Sequence, residues 1–274
     1  MFKTLKNLNI ETLSSILGFT SDELYNFARV APKFYKEAFI RHNNKIRIIE
    51  KPSHQLKKKQ KNLLKKVLYH LRTHSRLYGR PGTSIKTAVA DHVRRPLVIT
   101  MDIKNFFPSI KADQIRIMFR RHNASEEIAE ILTRLTTYKR HLPHGAPTSP
   151  CIARLILNPL AINLEKMLKK IHPKAIFSIY VDDITISGPI GLRKSIPTIY
   201  HMINRFGFTV NKEKTNVMKQ DEEQVSLNIR LNRRIEPTTE FLKEVEELEE
   251  RVNSKDLRLK GKKAFIKFLF RGEK

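Results

Sequence analysis

Two adjacent aspartates interrupt a run that otherwise has the composition of a β-strand. Phe177-Ser-Ile-Tyr-Val-Asp-Asp-Ile-Thr-Ile-Ser187 is rich in β-branched and aromatic residues, yet Asp182 and Asp183 stand at its centre. Aspartate is depleted in strands, and neighbouring carboxylates repel. A purely structural hairpin turn favours Asn-Gly or Asp-Gly, because its central residues need positive φ. Here Ile184 follows directly and no glycine is present. The pair is therefore expected to be compensated by a divalent cation. A third acid, Asp102, closes the apolar segment Leu97-Val-Ile-Thr-Met-Asp102. The separation, 182 − 102 = 80 residues, leaves room for the two segments to be neighbouring strands joined by helices. Three carboxylates at adjacent strand ends make an oxygen-only site of the kind Mg²⁺ prefers, with positions left for water and phosphate.

Charge points to the molecule that such a site would act on. The 274 residues carry 53 Lys+Arg against 27 Asp+Glu, a formal net charge of +26. Residues 41–80 hold 13 basic side chains and one acid, Glu50. Within that stretch Leu56, Leu63, Leu64, Val67, Leu68 and Leu71 recur at helical spacing after Pro52-Ser53. Lys57, Lys58, Lys61, Lys65 and Arg72 fall largely off the apolar stripe. A basic face without interleaved glutamates is suited to phosphates, so nucleic acid is the expected partner. No run approaches the ~20 apolar residues of a membrane span, the N-terminus lacks a signal-peptide core, and Cys151 is the sole cysteine. A cytoplasmic protein with no membrane partner and no disulfide framework is expected.

Hydrophobic spacing predicts helices near 11–17, 21–29 (capped by Ser21), 111–121, 125–137, 150–170 and 193–206. Strands are expected at 45–49, after a turn at Asn43-Asn44, and at 97–102, 208–210, 215–219 and 225–230. A hairpin is expected over 176–187. The tail 237–270 reads as two helices, the first turning Phe241, Leu242, Val245, Leu248 and Val252 inward.

Four segments then resemble one family. Tyr180-Val-Asp-Asp183 is similar to the YxDD motif of reverse transcriptases, and Asp102-Ile-Lys-Asn-Phe-Phe-Pro108 to their preceding metal-binding motif. Leu142-Pro-His-Gly-Ala-Pro-Thr-Ser-Pro150 resembles the LPQGxPTSP loop, with His144 in place of Gln. Gly207-Phe-Thr-Val-Asn-Lys-Glu-Lys-Thr215 resembles the GFxxNxxKT segment of retron and group II intron enzymes. The order and intervals match, and retron-type enzymes are the expected best match, on the expectation that no maturase or endonuclease domain follows. Two retron segments are degenerate: Ala88-Val-Ala-Asp-His92 stands for NAxxH, and Val225-Ser-Leu227 for VTG.

The resemblance implies an α+β right-hand polymerase. Fingers would occupy 1–96 with 122–142, the palm (an antiparallel sheet with packed helices) 97–230, and a short thumb 231–274. It implies an RNA-directed DNA polymerase that extends a primer hydroxyl with dNTPs on a structured noncoding RNA. The product would be retron-type single-stranded DNA made in antiphage defence, with an effector protein as a further partner. Asp102, Asp182, Asp183 and the carbonyl of Ile103 would hold two Mg²⁺ ions, and Lys214 would protonate pyrophosphate. Arg47 and Lys45 would grip the triphosphate. Phe107 would exclude a 2′-hydroxyl, and His144 and Gly145 would shape the nucleotide pocket. Lys57, Lys58, Lys61, Lys65 and Arg72 would bind RNA. Template-independent or protein-primed synthesis, and an RNA-binding scaffold in a toxin–antitoxin-like complex, remain as alternatives.

Overall fold

The computed structural model describes residues 4–42, 45–253 and 256–271. The chain divides into two compact units, Met1–Pro81 with Lys104–Ala161 and Gly82–Ile103 with Ile162–Lys274.

Unit 1 begins with helices α1 (Ile10–Leu17) and α2 (Ser21–Val30). Gly18 ends α1 in the left-handed region, where glycine carries no Cβ penalty. Thr20, not Ser21, caps α2: its hydroxyl accepts from Glu23 N–H while the Glu23 carboxylate accepts from Thr20 N–H. Capping needs an extended residue before the first helical one, and Ser21 is already helical. Strands β1 (Tyr35–His42) and β2 (Lys45–Pro52) pair antiparallel; the expected Asn43-Asn44 turn lies outside the described residues. Next comes α3 (His54–Lys66), capped by Ser53, which buries Leu56, Gln60, Leu63 and Leu64. Gln60 Nε2 donates to Tyr35 Oη at 2.7 Å and to the Leu135 carbonyl at 2.8 Å. The α-helix stops at Lys66, so Leu68 and Leu71 are buried from a short 3₁₀ turn and its exit. A short strand, β3 (Leu77–Tyr78), follows.

The chain then enters unit 2 with α4 (Ile85–Val89) and β4 (Leu97–Ile103). It returns to unit 1 for α5 (Phe106–Ser109), α6 (Ala112–Arg121) and α7 (Glu126–Thr136). The long helix α8 (Ser149–Ile171) carries it back, with Pro159 in its interior. Unit 2 continues through β5 (Ile176–Tyr180), β6 (Asp183–Gly188), α9 (Ile196–Arg205) and β7 (Val210–Lys219). These strands form an antiparallel array in the order β5-β6-β4-β7. β4 is central, and Leu97, Val98, Ile99, Met101 and Ile103 are all buried, which explains its continuous apolar run.

Two expected strands over 208–219 are one bulged strand. The expected strand 225–230 is instead a tight hairpin of β8 (Val225–Ser226) and β9 (Ile229–Arg230), because Leu227 and Asn228 both adopt positive φ. β10 (Glu236–Pro237) pairs with β9 and leads into α10 (Thr239–Arg251) and α11 (Leu257–Phe270). Of the five apolar residues expected inward on α10, only Val245 is fully buried, and Leu242 is exposed. Ion pairs between Glu244 and Lys262 and between Glu249 and Lys263 add to the thin apolar seam between the two helices. α11 buries Leu269 in a small core with Val89, Ile229, Leu231 and Ile235. Lys86 Nζ donates to the carbonyls of Leu269 (2.6 Å) and Arg271 (2.9 Å), neutralising that helix end.

Candidate active site

The acidic centre lies within unit 2, on the strands β4, β6 and β7. In the β4/β6 ladder Asp102 is paired directly with Asp183. Directly opposite residues point to the same face of a sheet, so the two carboxylates share one surface. Asp183 reaches that position through a two-residue loop: Tyr180 pairs with Asp183, and Val181 and Asp182 connect them. Val181 takes φ 58°, an uncommon conformation for a β-branched residue and one that costs of order 1–3 kcal/mol. The Asp182 carbonyl accepts from Ile103 N–H at 3.1 Å, tying the strained loop to the end of β4.

β7 supplies the cation by a local irregularity. Thr100 pairs with Asn216 but Asp102 pairs with Asn211, so residues 212–215 bulge out opposite Met101. Bulges of this kind re-aim side chains beside functional sites. Lys214 sits on the bulge, its Nζ 3.2 and 3.3 Å from the two carboxylate oxygens of Asp102. Its side chain remains 56% exposed. Burial by the surrounding chain, then the charges of Asp182 and Asp102, push the Asp183 carboxyl up to about 7 from an ordinary 3.8, while Lys214 pulls it down. An open cleft of about 740 Å³ borders the three strands and is lined by Asp102, Asp183, Lys214, Thr185, Ser226 and Leu227 among others. Thr185 and Ser226 hydroxyls share a 2.6 Å hydrogen bond, which fastens the β8–β9 hairpin to β6.

Three further polar groups lie farther along the hairpin, two of them, Ser178 and Ser187, on the strand face that also carries Asp183. His92 is fully buried, and its ring nitrogens meet Ser187 Oγ at 2.7 Å and Ser178 Oγ at 3.0 Å. It thus bridges β5 and β6 through those two hydroxyls. The His-Ser-Ser set was not anticipated, although Ser178 and Ser187, on opposite arms of an apolar hairpin, were a visible signal.

Unit 1 holds the other expected residues. The His144 ring stacks on Phe107, with centroids 5.4 Å apart and planes 18° apart. Phe107 also packs against the buried Phe106. Gly145 has φ 133°, and a Cβ there would come within 2.8 Å of Ile49 Cγ2. Lys45 and Arg47 lie on β2. Lys57, Lys58, Lys61 and Lys65 are exposed along α3, whereas Arg72 is exposed beyond the helix end. The neighbouring Lys59 is otherwise engaged: its Nζ donates to the carbonyls of Leu17 and Gly18 and lies over the Phe19 ring.

Among the described residues no three Asp, Glu, His or Cys side chains converge into a closed metal cage. The donor set is instead two facing carboxylates with a third in the adjoining loop. That arrangement fits a hard cation held by few protein oxygens and completed by water and substrate phosphates.

Residues 35–266 match the family model of reverse transcriptase (RNA-dependent DNA polymerase). The chain belongs to that family. Its relatives include the retron Mx65 reverse transcriptase of Myxococcus xanthus, 27% identical over 82% of this chain and 58% of that protein. The retron Se72 enzyme of Salmonella heidelberg is 29% identical over 81% and 60% respectively. The retron Ec86 enzyme of Escherichia coli is 27% identical over 76% and 63%. The chain thus spans roughly three fifths of the length of these curated relatives. Among solved structures, telomerase of Candida tropicalis in complex with a fragment of telomeric RNA superposes with a TM-score of 0.56 at 12% identity, covering 84% of this chain and 52% of that one. Telomerase of Candida albicans gives 0.55 at 11%, covering 78% and 50%. The fold is accordingly the α+β right-hand polymerase fold. Among the described residues no helix is long and apolar enough to cross a membrane.

Proposed function

We propose that this chain is an RNA-directed DNA polymerase of retron type, extending a primer hydroxyl with dNTPs on a structured noncoding RNA. The observation that carries the reading is the direct pairing of Asp102 with Asp183, whose carboxyl is held near neutrality by its surroundings. Carboxylates crowded on one face are stable as anions only beside a cation, and nucleotidyl transfer needs cations there. Asp102, Asp182, Asp183 and the Ile103 carbonyl would hold two Mg²⁺. Bound there, the ions would acidify the primer hydroxyl and neutralise the departing pyrophosphate.

The chain's own groups do the rest. The primer hydroxyl gives up its proton to solvent, its oxygen forms a bond to the α-phosphorus, and the bond from the α-phosphorus to the bridging oxygen of the β-phosphate breaks. Lys214, tethered to Asp102 by an exposed ion pair, swings to the leaving group and gives it a proton. Phe107 and His144 form one wall of the nucleotide pocket, and Phe107 rejects the 2′-hydroxyl by filling its space. Lys45 and Arg47, on the same hairpin strand, contact the triphosphate. The exposed lysines of α3 and Arg72 hold the RNA backbone. Fingers (1–96 with 122–142), palm (97–230) and thumb (231–274) are the corresponding assignments. A role in antiphage defence with an effector protein belongs to the same proposal and rests on the likeness to retron enzymes.

The test is primer extension on an RNA template with Asp182→Asn and Asp183→Asn, alongside RNA binding by the same variants. Incorporation of dNTPs should vanish while RNA affinity stays within about twofold, since surface-charge changes of this kind are worth a few tenths of a kcal/mol. Polymerisation by the double variant would reject the two-metal assignment.

A further inference from the structure

Glu50 is a buried carboxylate for which the chemistry above has no use. It lies near the end of β2 and is only 6% exposed. The outer part of the same hairpin is open: Phe39 and Ile48 are cross-strand partners and are 70% and 50% exposed. A two-stranded ribbon is marginal by itself and needs an anchor at its base. Glu50 supplies it. His141 Nε2 donates to its two carboxylate oxygens at 2.9 and 3.1 Å. The His144 N–H donates to Glu50 Oε2 at 3.1 Å, and Glu50 N–H returns a bond of 2.8 Å to the His144 carbonyl.

The residue so held is His144, whose ring is stacked on Phe107. The approach is close enough to demand glycine next in the chain. A Cβ on Gly145 would meet Ile49 Cγ2 at 2.8 Å and the Glu50 carbonyl oxygen at 3.1 Å. The backbone bond from Glu50 N–H fixes the height of the His144 main chain on β2. The carboxylate fixes its rotation, because the His144 N–H and the His141 ring compete for one pair of oxygens. A shift of either is transmitted to the Phe107 face through a single ring stack.

We infer that Glu50 and His141 are positioning residues for sugar selection: they set where the His144 ring meets Phe107, and so how tightly that wall closes on the 2′ carbon of the incoming nucleotide. The inference rests on the reading of Phe107 and His144 as the nucleotide wall. A purely structural clamp would affect how much protein is active. A positioning pair affects which nucleotide the active protein accepts.

Glu50→Ala, Glu50→Gln and His141→Gln are compared with the wild-type chain in steady-state primer extension on an RNA template, with dNTPs and rNTPs separately. Active fraction is measured by the burst of first incorporation. Glu50→Ala should raise the KM for dNTP about tenfold, the effect of losing one charge-assisted hydrogen bond. The dNTP-over-rNTP preference should fall by a similar factor, with kcat at saturating dNTP little changed. Glu50→Gln retains an acceptor for the His144 N–H and should recover most of the preference. His141→Gln keeps the Glu50 carboxylate, so it reports even where Glu50→Ala fails to fold, and it should shift the preference in the same direction. Loss confined to active fraction or kcat, with the preference unchanged in His141→Gln and in Glu50→Ala where that variant folds, overturns the inference. Phe107→Ala, run in parallel, separates the two layers. If it changes the preference and the Glu50 and His141 variants do not, the positioning role alone fails. If it leaves the preference unchanged, the wall reading fails and takes the inference with it.

Discussion

Replacing Asp183 by Asn should make the metal-free protein more stable at neutral pH while destroying the activity. In the folded chain the Asp183 carboxyl is pushed up to about 7, against 3.8 ordinarily. Between those two values the folded state binds the proton and the unfolded state does not. Stability therefore falls as pH rises through that window and stays low above it. A shift of about three units corresponds nominally to about 4 kcal/mol. Solvent still reaches this carboxylate, which reduces the figure to about 1–2 kcal/mol. For a chain of this size that is a Tm difference of about 2–6 °C. The assay is a pair of thermal melts in chelator, wild type and Asp183→Asn, at pH 4 and pH 8. The variant should gain on the wild type between the two pH values. Adding Mg²⁺ at pH 8 should raise the wild-type Tm, by mass action on the folded state, and leave the variant nearly unmoved. An Asp183→Asn protein no more stable than wild type in chelator at pH 8 would refute the claim that the protein compensates the Asp183 charge only in part.

Phe107→Val should raise ribonucleotide incorporation on an RNA template with dNTP use much less affected, read from the ratio of kcat/KM for the two nucleotides; an unchanged ratio returns Phe107 to packing against Phe106 and His144. Changing Lys57, Lys58, Lys61 and Lys65 together to Gln should flatten the log–log salt dependence of RNA binding by about 3 units, at roughly 0.7–0.9 per phosphate contact. An unaltered slope would take RNA off this face. Lys86→Met leaves two carbonyls at the end of α11 without their cation and should cost about 1 kcal/mol in chemical denaturation. No loss would mean that the apolar contacts of Leu269 hold the helix alone.

The parts of the fold legible beforehand were those where one periodicity dominates. β4, the aspartate hairpin, α6, α7 and the long α8 all appear within a residue or two of where spacing puts them. β1 was missed because Tyr-Lys-Glu-Ala-Phe-Ile-Arg-His lacks a clean alternation; it forms through pairing with β2, a partner no local pattern reveals. The β8–β9 turn was hidden for a different reason. Leu227 carries a positive φ that leucine does not advertise, and the pairing of β8 with β9 on both sides imposes it. At the site, the facing of Asp102 and Asp183 followed from two strand-end acids. The partnership of Glu50 with His141, 91 residues apart, did not, since nothing in either segment names the other.

The bulge in β7 explains how one sheet face holds both the acids and a lysine free to leave them. Continuing the regular register that pairs Thr100 with Asn216 would set Lys214 directly opposite Asp102. Asp183, Asp102 and Lys214 would then stand abreast on three neighbouring strands, with the ammonium fixed beside the carboxylates by its own backbone. The bulge instead gives Asn211 that place and lifts residue 214 off the ladder. Lys214 reaches back to Asp102 only through its flexible stem, in an exposed pair of the sort worth about 0–1 kcal/mol. Exchanging that carboxylate for a phosphate oxygen is nearly free, as the role proposed for Lys214, giving a proton to the leaving group, would require in every cycle.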